Sequence, residues 1–560
     1  MARPPGSARP TRSANSRSRD IGGTGKWVDR RRRRPPERGG PMTGRYVLAL
    51  DEGSSSARAV LVDTDGRIVA EASNSLTPLF PNHGWVELDP AQLWTAMRAA
   101  IDEVMARSGL TARDIATVGV TTHRETCLIW NRSTSIPVHN AIMWSSHQTD
   151  EIVQRWSDLG LDAEIRTRTG LRNDSFFSAP KLAWFIENVP GLKALAGTGA
   201  YAAGTVDTWL VWNLTGGREH VTDATSASRT ALLNINELVW DDRLCDVYGI
   251  PQELLPEVRA SNSHFGYLDP SILPGGVGHY IPIQAIIADQ QAGLFGQGCF
   301  DEGSVKNTFG TAGVLVANVG SSPLLLPGMT TSVAMNIPGL TSYEVEGVVF
   351  HSGQTLHWLR DKMRAVGSVA EMERIAERVT DTQGVYFVPA FAGLCDPYWD
   401  KDVRASIFGL TLDTGIDQIV RAALEAMAYQ TRDNLDALRA GGTNVTSLKV
   451  DGKAVCNNFL CQFQADILGM PVVRPEGLER TALGVAYIAG AEVGLWDAQD
   501  LVRETWRAER VFEPRMSSDR RDQLYGGWQA AVRSARMMPP APPHPTNGTV
   551  SNPVPILAAH

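Results

Sequence analysis

Two strand–turn–strand units, far apart in the chain and each closed by a turn of glycine and hydroxyl residues, constrain this sequence more than any other feature. The first opens with Tyr46-Val47-Leu48-Ala49-Leu50, an apolar, partly β-branched run ended by Asp51. A tight turn at Gly53-Ser54-Ser55-Ser56 leads into Ala59-Val60-Leu61-Val62. Asp63-Thr64-Asp65-Gly66 then turns the chain into a third run, Ile68-Val69-Ala70. Short apolar runs separated by such turns predict a meander of hairpins. The plan recurs where residues 304–308 enter a turn at Gly310-Thr311-Ala312-Gly313 and Val314-Leu315-Val316-Ala317 leave it. A repeated unit predicts a duplicated architecture. Two unrelated hairpins would read the same way, because Gly, Ser and Thr are common turn formers. Turns of this composition also let backbone N–H groups reach phosphate oxygens with no side chain between them. Two of them facing across a cleft would clasp a polyphosphate from both sides.

Helical patterns fill the intervals. Thr414-Gly415-Ile416-Asp417 predicts a helix start, with apolar residues following on one face at Ile416, Ile419, Val420, Ala423, Met427 and Leu438. Residues 466–469 and 482–491 predict further helices, the second rich in small residues and therefore closely packed. Strands alternating with helices place both halves in the α/β class.

A chain of 560 residues is long enough for two buried cores. Its ends do not belong to them. Residues 1–41 hold 12 Lys and Arg against 3 Asp and Glu, a net of +9, so the rest carries −17 of the overall −8. This Arg-, Ser-, Gly- and Pro-rich stretch lacks hydrophobic periodicity and reads as a disordered basic extension, with Met42 as a plausible true start just before the first strand. Gly22-Gly23-Thr24-Gly25-Lys26 inside it has the wrong spacing, and no preceding strand, for a phosphate loop. Residues 537–560 read as a disordered, Pro-rich tail. The acidic body argues against a nucleic-acid partner. No apolar run of about 20 residues predicts a membrane span. The six cysteines have no metal-ligand or disulfide spacing, which suits a reducing compartment, the cytoplasm.

Two longer motifs then make the sequence resemble the FGGY carbohydrate kinases, and within them the branch acting on glycerol. Residues 176–188 (FFSAPKLAWFIEN) fit the first family signature. Residues 405–410 (ASIFGL), with Gln418-Ile419 and Ala422-Ala423-Leu424-Glu425, fit the second. The likeness extends to residues 204–210 (GTVDTWL), to Thr222-Asp223 and to residues 227–230 (ASRT), which are similar to the glycerol branch. The resemblance implies two actin-like, RNase H-like ATPase domains with a cleft between them. Residues 42–298 would carry the acceptor site and first phosphate loop, and residues 299–536 the nucleotide site. It implies ATP and Mg²⁺ as cofactors, a small polyol as substrate and a homo-oligomer, dimer or tetramer. By the same resemblance Asp51 lies near Mg²⁺ and Ser54, Ser55, Ser56 and Arg58 near the phosphates. Gly310, Thr311 and Gly353 belong to the second phosphate site, and Gly452, Lys453 and Asn457 to the adenosine turn. Arg124, Glu125, Trp144, Phe176 and Gln290 bind the acceptor. Asp289 is the general base and a second carboxylate for the metal.

The residues give those assignments independent chemical sense. Arg124 and Glu125 form a pair suited to fixing adjacent hydroxyls by charge-assisted hydrogen bonds, and the rings of Trp144 and Phe176 suit a polyol carbon chain. A surface ion pair, a core ring and a helix-capping Asp would be the plain alternatives. The sequence also departs from the glycerol branch. Glu52 replaces Gln beside the phosphate turn, Phe176 replaces a Tyr, Val314 replaces a Phe and Lys453 a Gly. Residues 274–280 (PGGVGHY) resemble a fructose 1,6-bisphosphate loop in which Tyr280 replaces Arg. Three readings follow: phosphorylation of glycerol, of a longer polyol or ketose, or a weakly catalytic nucleotide-gated regulator. Deleting residues 1–41 is expected to leave solubility and specific activity unchanged, which comparison of the two purified chains checks.

Overall fold

The computed structural model describes residues 44–538. The expectations for residues 1–41 and for the chain from Pro539 onward lie outside the described residues. The strands expected from the first turn unit form one side of a five-stranded sheet. Its order is Ile283–Ala288, Ile115–Thr122, Tyr46–Glu52, Ser56–Val62, Ile68–Ser75. Neighbours in the meander are antiparallel, and the two remaining strands run parallel to Tyr46–Glu52. The turns have the expected chemistry: Gly53 N–H donates to the Ser56 carbonyl at 2.9 Å, and Gly66 N–H to that of Asp63 at 3.0 Å.

A second sheet has the order Thr330–Ile337, Leu340–Val349, Gly313–Asn318, Val305–Phe309, Leu448–Asp451, Val472–Pro475, Ala508–Phe512. Its five middle strands repeat the first sheet. Val305–Phe309 and Gly313–Asn318 form the hairpin, Leu340–Val349 pairs antiparallel with the latter, and Leu448–Asp451 and Val472–Pro475 are parallel. The duplication differs from a plain repeat at its third strand. That place is filled by Leu340–Val349, and Thr330–Ile337, earlier in the chain, lies outside it. Among the described residues no helix is long and apolar enough to cross a membrane.

Each half ends its parallel strands with a helix, Asp289–Gly296 in the first and Arg480–Glu492 in the second. These two helices pack on each other in a core contributed by both sheets, including Val47, Ala49, Ala285, Val314, Val316 and Val485. Their backbones meet closely. A Cβ on Gly484 would run into the carbonyl of Ala292, and one on Gly296 into that of Arg480. The small residues at 482–491 therefore serve a helix crossing, as their composition predicts.

The long helix Ile416–Ala440 starts where expected, its first turn closed by Gln418 Oε1 accepting from Gly415 N–H at 3.0 Å. Val420, Ala423, Met427 and Leu438 are buried, but Ile416 is 42% exposed, because the first helical residue precedes the helix's entry into the core.

Gly484→Ala is expected to destabilise the protein by about 1–3 kcal/mol through overpacking. It should also lower turnover, since the partner helix begins at Asp289. Gly526, in the helix Ser518–Arg536, has open space where a Cβ would sit. Gly526→Ala is expected to stabilise by up to about 1 kcal/mol. Urea unfolding of the two variants measures both effects.

Candidate active site

Strand pairing brings the candidate residues together. Ile283–Ala288 and Ile115–Thr122 are parallel neighbours, with Ala288 opposite Thr122. Their C-terminal ends therefore deliver Asp289 and the His123-Arg124-Glu125 segment side by side. Glu125 turns sharply there, with φ +63°, a left-handed conformation uncommon outside glycine. Arg124 Nε lies 3.5 Å from Asp289 Oδ1, and its Nη2 2.5 Å from Glu346 Oε2.

Behind this pair lies a buried charge network that sequence reading missed. Arg229, fully buried, donates from Nε to Glu125 Oε1 and from Nη2 to Glu346 Oε1, both at 2.6 Å. Glu344 Oε1 accepts from Gln291 at 2.7 Å and Ser332 at 2.8 Å. Burial and the neighbouring Glu346 push the Glu344 carboxyl up. Burial would raise Glu346 too, but Arg124 and Arg229 hold it below the usual carboxylate range. One sequence signal was available: Glu344 and Glu346 stand two apart in a run of apolar residues, a spacing that puts both carboxylates on one face of a strand. Arg229 sits within a motif quoted above without a role. Lys306, also buried, donates to Gln290 Oε1 at 2.5 Å and Thr308 Oγ1 at 2.8 Å, fixing the orientation of Gln290.

A cleft of about 490 Å³ opens in front of the network. Ser54, Ser55, Arg124, Glu125, Trp144, Phe176, Asp289, Gln290, Gly310 and Thr311 all line it. Trp144 and Phe176 meet edge to face, ring centres 5.6 Å apart, and Trp144 Nε1 donates to Ser54 Oγ at 2.9 Å. The ring pair is thus tied to the Gly53–Ser56 turn. Val314 forms part of the wall, as does Val348.

The remaining nucleotide-side candidates stand behind the lining. Gly353 N–H donates to the Gly310 carbonyl at 3.0 Å, an approach that leaves no room for a side chain. Gly452, at φ +87°, is pressed against the Phe309 backbone in the same way. Three glycines so bring the second phosphate turn, the 353 turn and the 452 turn into contact. Lys453 is exposed, and Asn457 caps the helix Asn458–Leu468, accepting from Leu460 N–H at 2.9 Å. Ser56 belongs to the strand after its turn, and Arg58 pairs with Glu479.

Asp51 and Glu52, the residue that replaces Gln, are neighbours at the end of the first strand. Side chains alternate along the strand, so the two carboxylates point to opposite faces. Glu52 is fully buried, with no hydrogen-bond partner on either oxygen. Burial, with the Asp51 charge adding, holds its carboxyl well above the ordinary range. Asp51 is pushed up to about 6 by burial, with Arg58 opposing and Asp289 adding. Among the described residues no cluster of three or more His, Cys, Asp or Glu suits a metal. Two nearby carboxylates are, however, a donor set suited to Mg²⁺, which takes one or two carboxylates and completes its shell with phosphate oxygens and water.

Both halves of the chain match known proteins. Residues 46–296 match the model for the FGGY family of carbohydrate kinases, N-terminal domain, and residues 305–493 that for the C-terminal domain. The chain is 48% identical over 498 residues to a glycerol kinase of Carboxydothermus hydrogenoformans, covering 88% of this chain and 99% of the relative. It is 47% identical over 494 residues to a glycerol kinase of Halorhodospira halophila, covering 88% and 97%. The solved structure of Plasmodium falciparum glycerol kinase with ADP superposes with a TM-score of 0.80 at 33% identity, over 88% of this chain and 98% of that one. A xylulose kinase structure from Lactobacillus acidophilus, 20% identical with a TM-score of 0.78, shares the fold. Repeated sheets, facing glycine turns and matches to both halves lead to one assignment: the chain belongs to the FGGY family of carbohydrate kinases.

Proposed function

We propose that this protein transfers the γ-phosphoryl group of ATP to glycerol, giving sn-glycerol 3-phosphate and ADP. The observation that carries the reading is the shared cleft. It holds a carboxylate, an Arg–Glu pair and two aromatic rings facing two glycine turns of phosphate-binding composition. The glycerol kinases to which the chain is 47–48% identical supply the acceptor.

In this reading Asp289 accepts the proton of the attacking hydroxyl. The hydroxyl oxygen forms a bond to the γ-phosphorus while the bond to the β,γ-bridging oxygen breaks, and ADP leaves. Arg124, steadied by Glu346, donates to one substrate hydroxyl. Glu125, held by Arg229 through Oε1, offers its other oxygen to a second. Gln290, oriented by Lys306, reaches a third position. Trp144 and Phe176 cover the carbon chain and exclude water. Ser54, Ser55, Ser56 and Arg58 on one side and Gly310, Thr311 and Gly353 on the other hold the phosphates, with Gly452, Lys453 and Asn457 near the adenosine. Asp51 and Asp289 would hold Mg²⁺, which supplies charge neutralisation of the triphosphate when bound. Residues 42–298 and 299–536 act as the two domains flanking the cleft.

Asp289→Asn is expected to lower kcat by about 10²–10⁴-fold while leaving ATP and glycerol binding nearly unchanged. Steady-state kinetics with calorimetric binding tests it, and a variant keeping most of its turnover would remove Asp289 from the role of base. Val314→Phe, which adds a ring to the cleft wall, is expected to lower KM for glycerol by about tenfold, since covering a methylene-sized gap is worth about 1–3 kcal/mol.

A further inference from the structure

Beyond the Trp144–Phe176 pair the cleft continues into a side pocket of about 90 Å³. Trp144, Phe176, His351 and Gln354 line both spaces, so the pocket opens from the acceptor end of the cleft. We propose that this side pocket extends the acceptor site to neutral polyols of four or five carbons, with His351 as the residue that selects them. The inference rests on the glycerol-phosphorylation reading and names the wider substrate class of the same site.

Three observations carry it. First, the pocket has the volume of a few water molecules, enough for one or two further carbon–hydroxyl units. Second, its walls are polar where a hydroxylated chain would pass. His351 is 91% buried with Nδ1 lacking a hydrogen-bond partner, and a buried polar atom left unpaired costs free energy unless a ligand satisfies it. Its ring is held edge-on by Phe391 at 5.5 Å, and burial pushes its pKa down to about 4, so it meets a substrate as neutral imidazole. Gln354 adds an amide on the same wall. Third, the lining holds one carboxyl, Asp174, and neither Lys nor Arg, while His147 is already engaged by Asp150, Nδ1 to Oδ1 3.5 Å. An anionic chain such as an aldonate would find no free cation there, which leaves neutral polyols as the fitting class. The phosphoryl step is unchanged: a terminal hydroxyl of the longer polyol loses its proton to Asp289 and takes the γ-phosphoryl group, and ADP leaves.

The test compares kcat/KM for glycerol, erythritol, xylitol and D-erythronate in the full chain and two variants. Erythritol and xylitol are expected to be phosphorylated and D-erythronate not. His351→Leu should lower the erythritol-to-glycerol ratio about three- to tenfold, the range of one neutral hydrogen bond. Ala392 lines the side pocket but not the main cleft. Ala392→Phe should therefore fill the pocket, lower the same ratio about tenfold or more, and leave glycerol kcat/KM within about twofold. Glycerol turnover with no use of erythritol or xylitol, or a ratio unmoved by both variants, would overturn the inference and leave the kinase reading standing. If no acceptor is phosphorylated, the kinase reading falls instead, and calorimetric binding of erythritol decides the pocket: binding lost in Ala392→Phe supports it, and no binding to the unaltered chain overturns it.

Discussion

The contact on which the rest of the molecule depends is backbone against backbone, where the Asp289–Gly296 helix crosses Arg480–Glu492. Glycines at 296 and 484 remove the side chains that would hold the axes apart. The helices close to a distance that leaves each carbonyl facing the other's glycine. Each helix follows the strands of one sheet and reaches the other. Val485 and Ala489 lie against Gly119 of the first sheet, and Gln291 donates to Val333 and Glu344 of the second, so this crossing fixes one sheet against the other. It also fixes Asp289, the first residue of one of the two helices, and with it the direction from which the cleft's carboxylate faces the phosphate turns.

Above that crossing the charges do a second job. Arg124 and Arg229 are surrounded by Glu125, Glu344, Glu346 and Asp289, nearly all of them shielded from water. Such a group adds little net stability over apolar residues of the same size, because desolvating each charge offsets most of the attraction. Its value is geometric. With Glu346 holding both guanidiniums and Arg229 holding Glu125, the Arg–Glu pair that faces the cleft has little freedom to turn. The strained backbone at Glu125 belongs to the same arrangement, since it aims the carboxylate at Arg229.

Much of the fold and the lining of the cleft were legible in the sequence because they are written locally. Turn residues at Gly53 and Gly310, apolar alternation in the strands and the small residues before Glu492 each announce a conformation over a few positions. What escaped was set by distant partners. Nothing near Arg229 says that it will meet Glu346 across the two sheets, nor does the segment around Leu340 say that it will displace its predecessor from the third strand position. Glu52 shows the same limit: it is adjacent to the turn in sequence, but the strand's alternation turns its side chain away from Asp51 into the core. Asn457 caps a helix and Lys453 is exposed, and neither position is marked by its own neighbours in sequence.

The hydrogen bond from Trp144 to Ser54 has a thermodynamic corollary. In the proposed function the ring covers the acceptor and the hydroxyl belongs to the turn that holds the phosphates, so one contact would join two ligand sites. Whatever free energy a nucleotide spends in ordering that turn also orders the ring, and the acceptor then binds to a wall already set. Linkage makes the effect reciprocal: each ligand raises the other's affinity by the same factor. A cleft wired in this way favours the ternary complex over either binary one, and so keeps a bound triphosphate from meeting water in place of an alcohol.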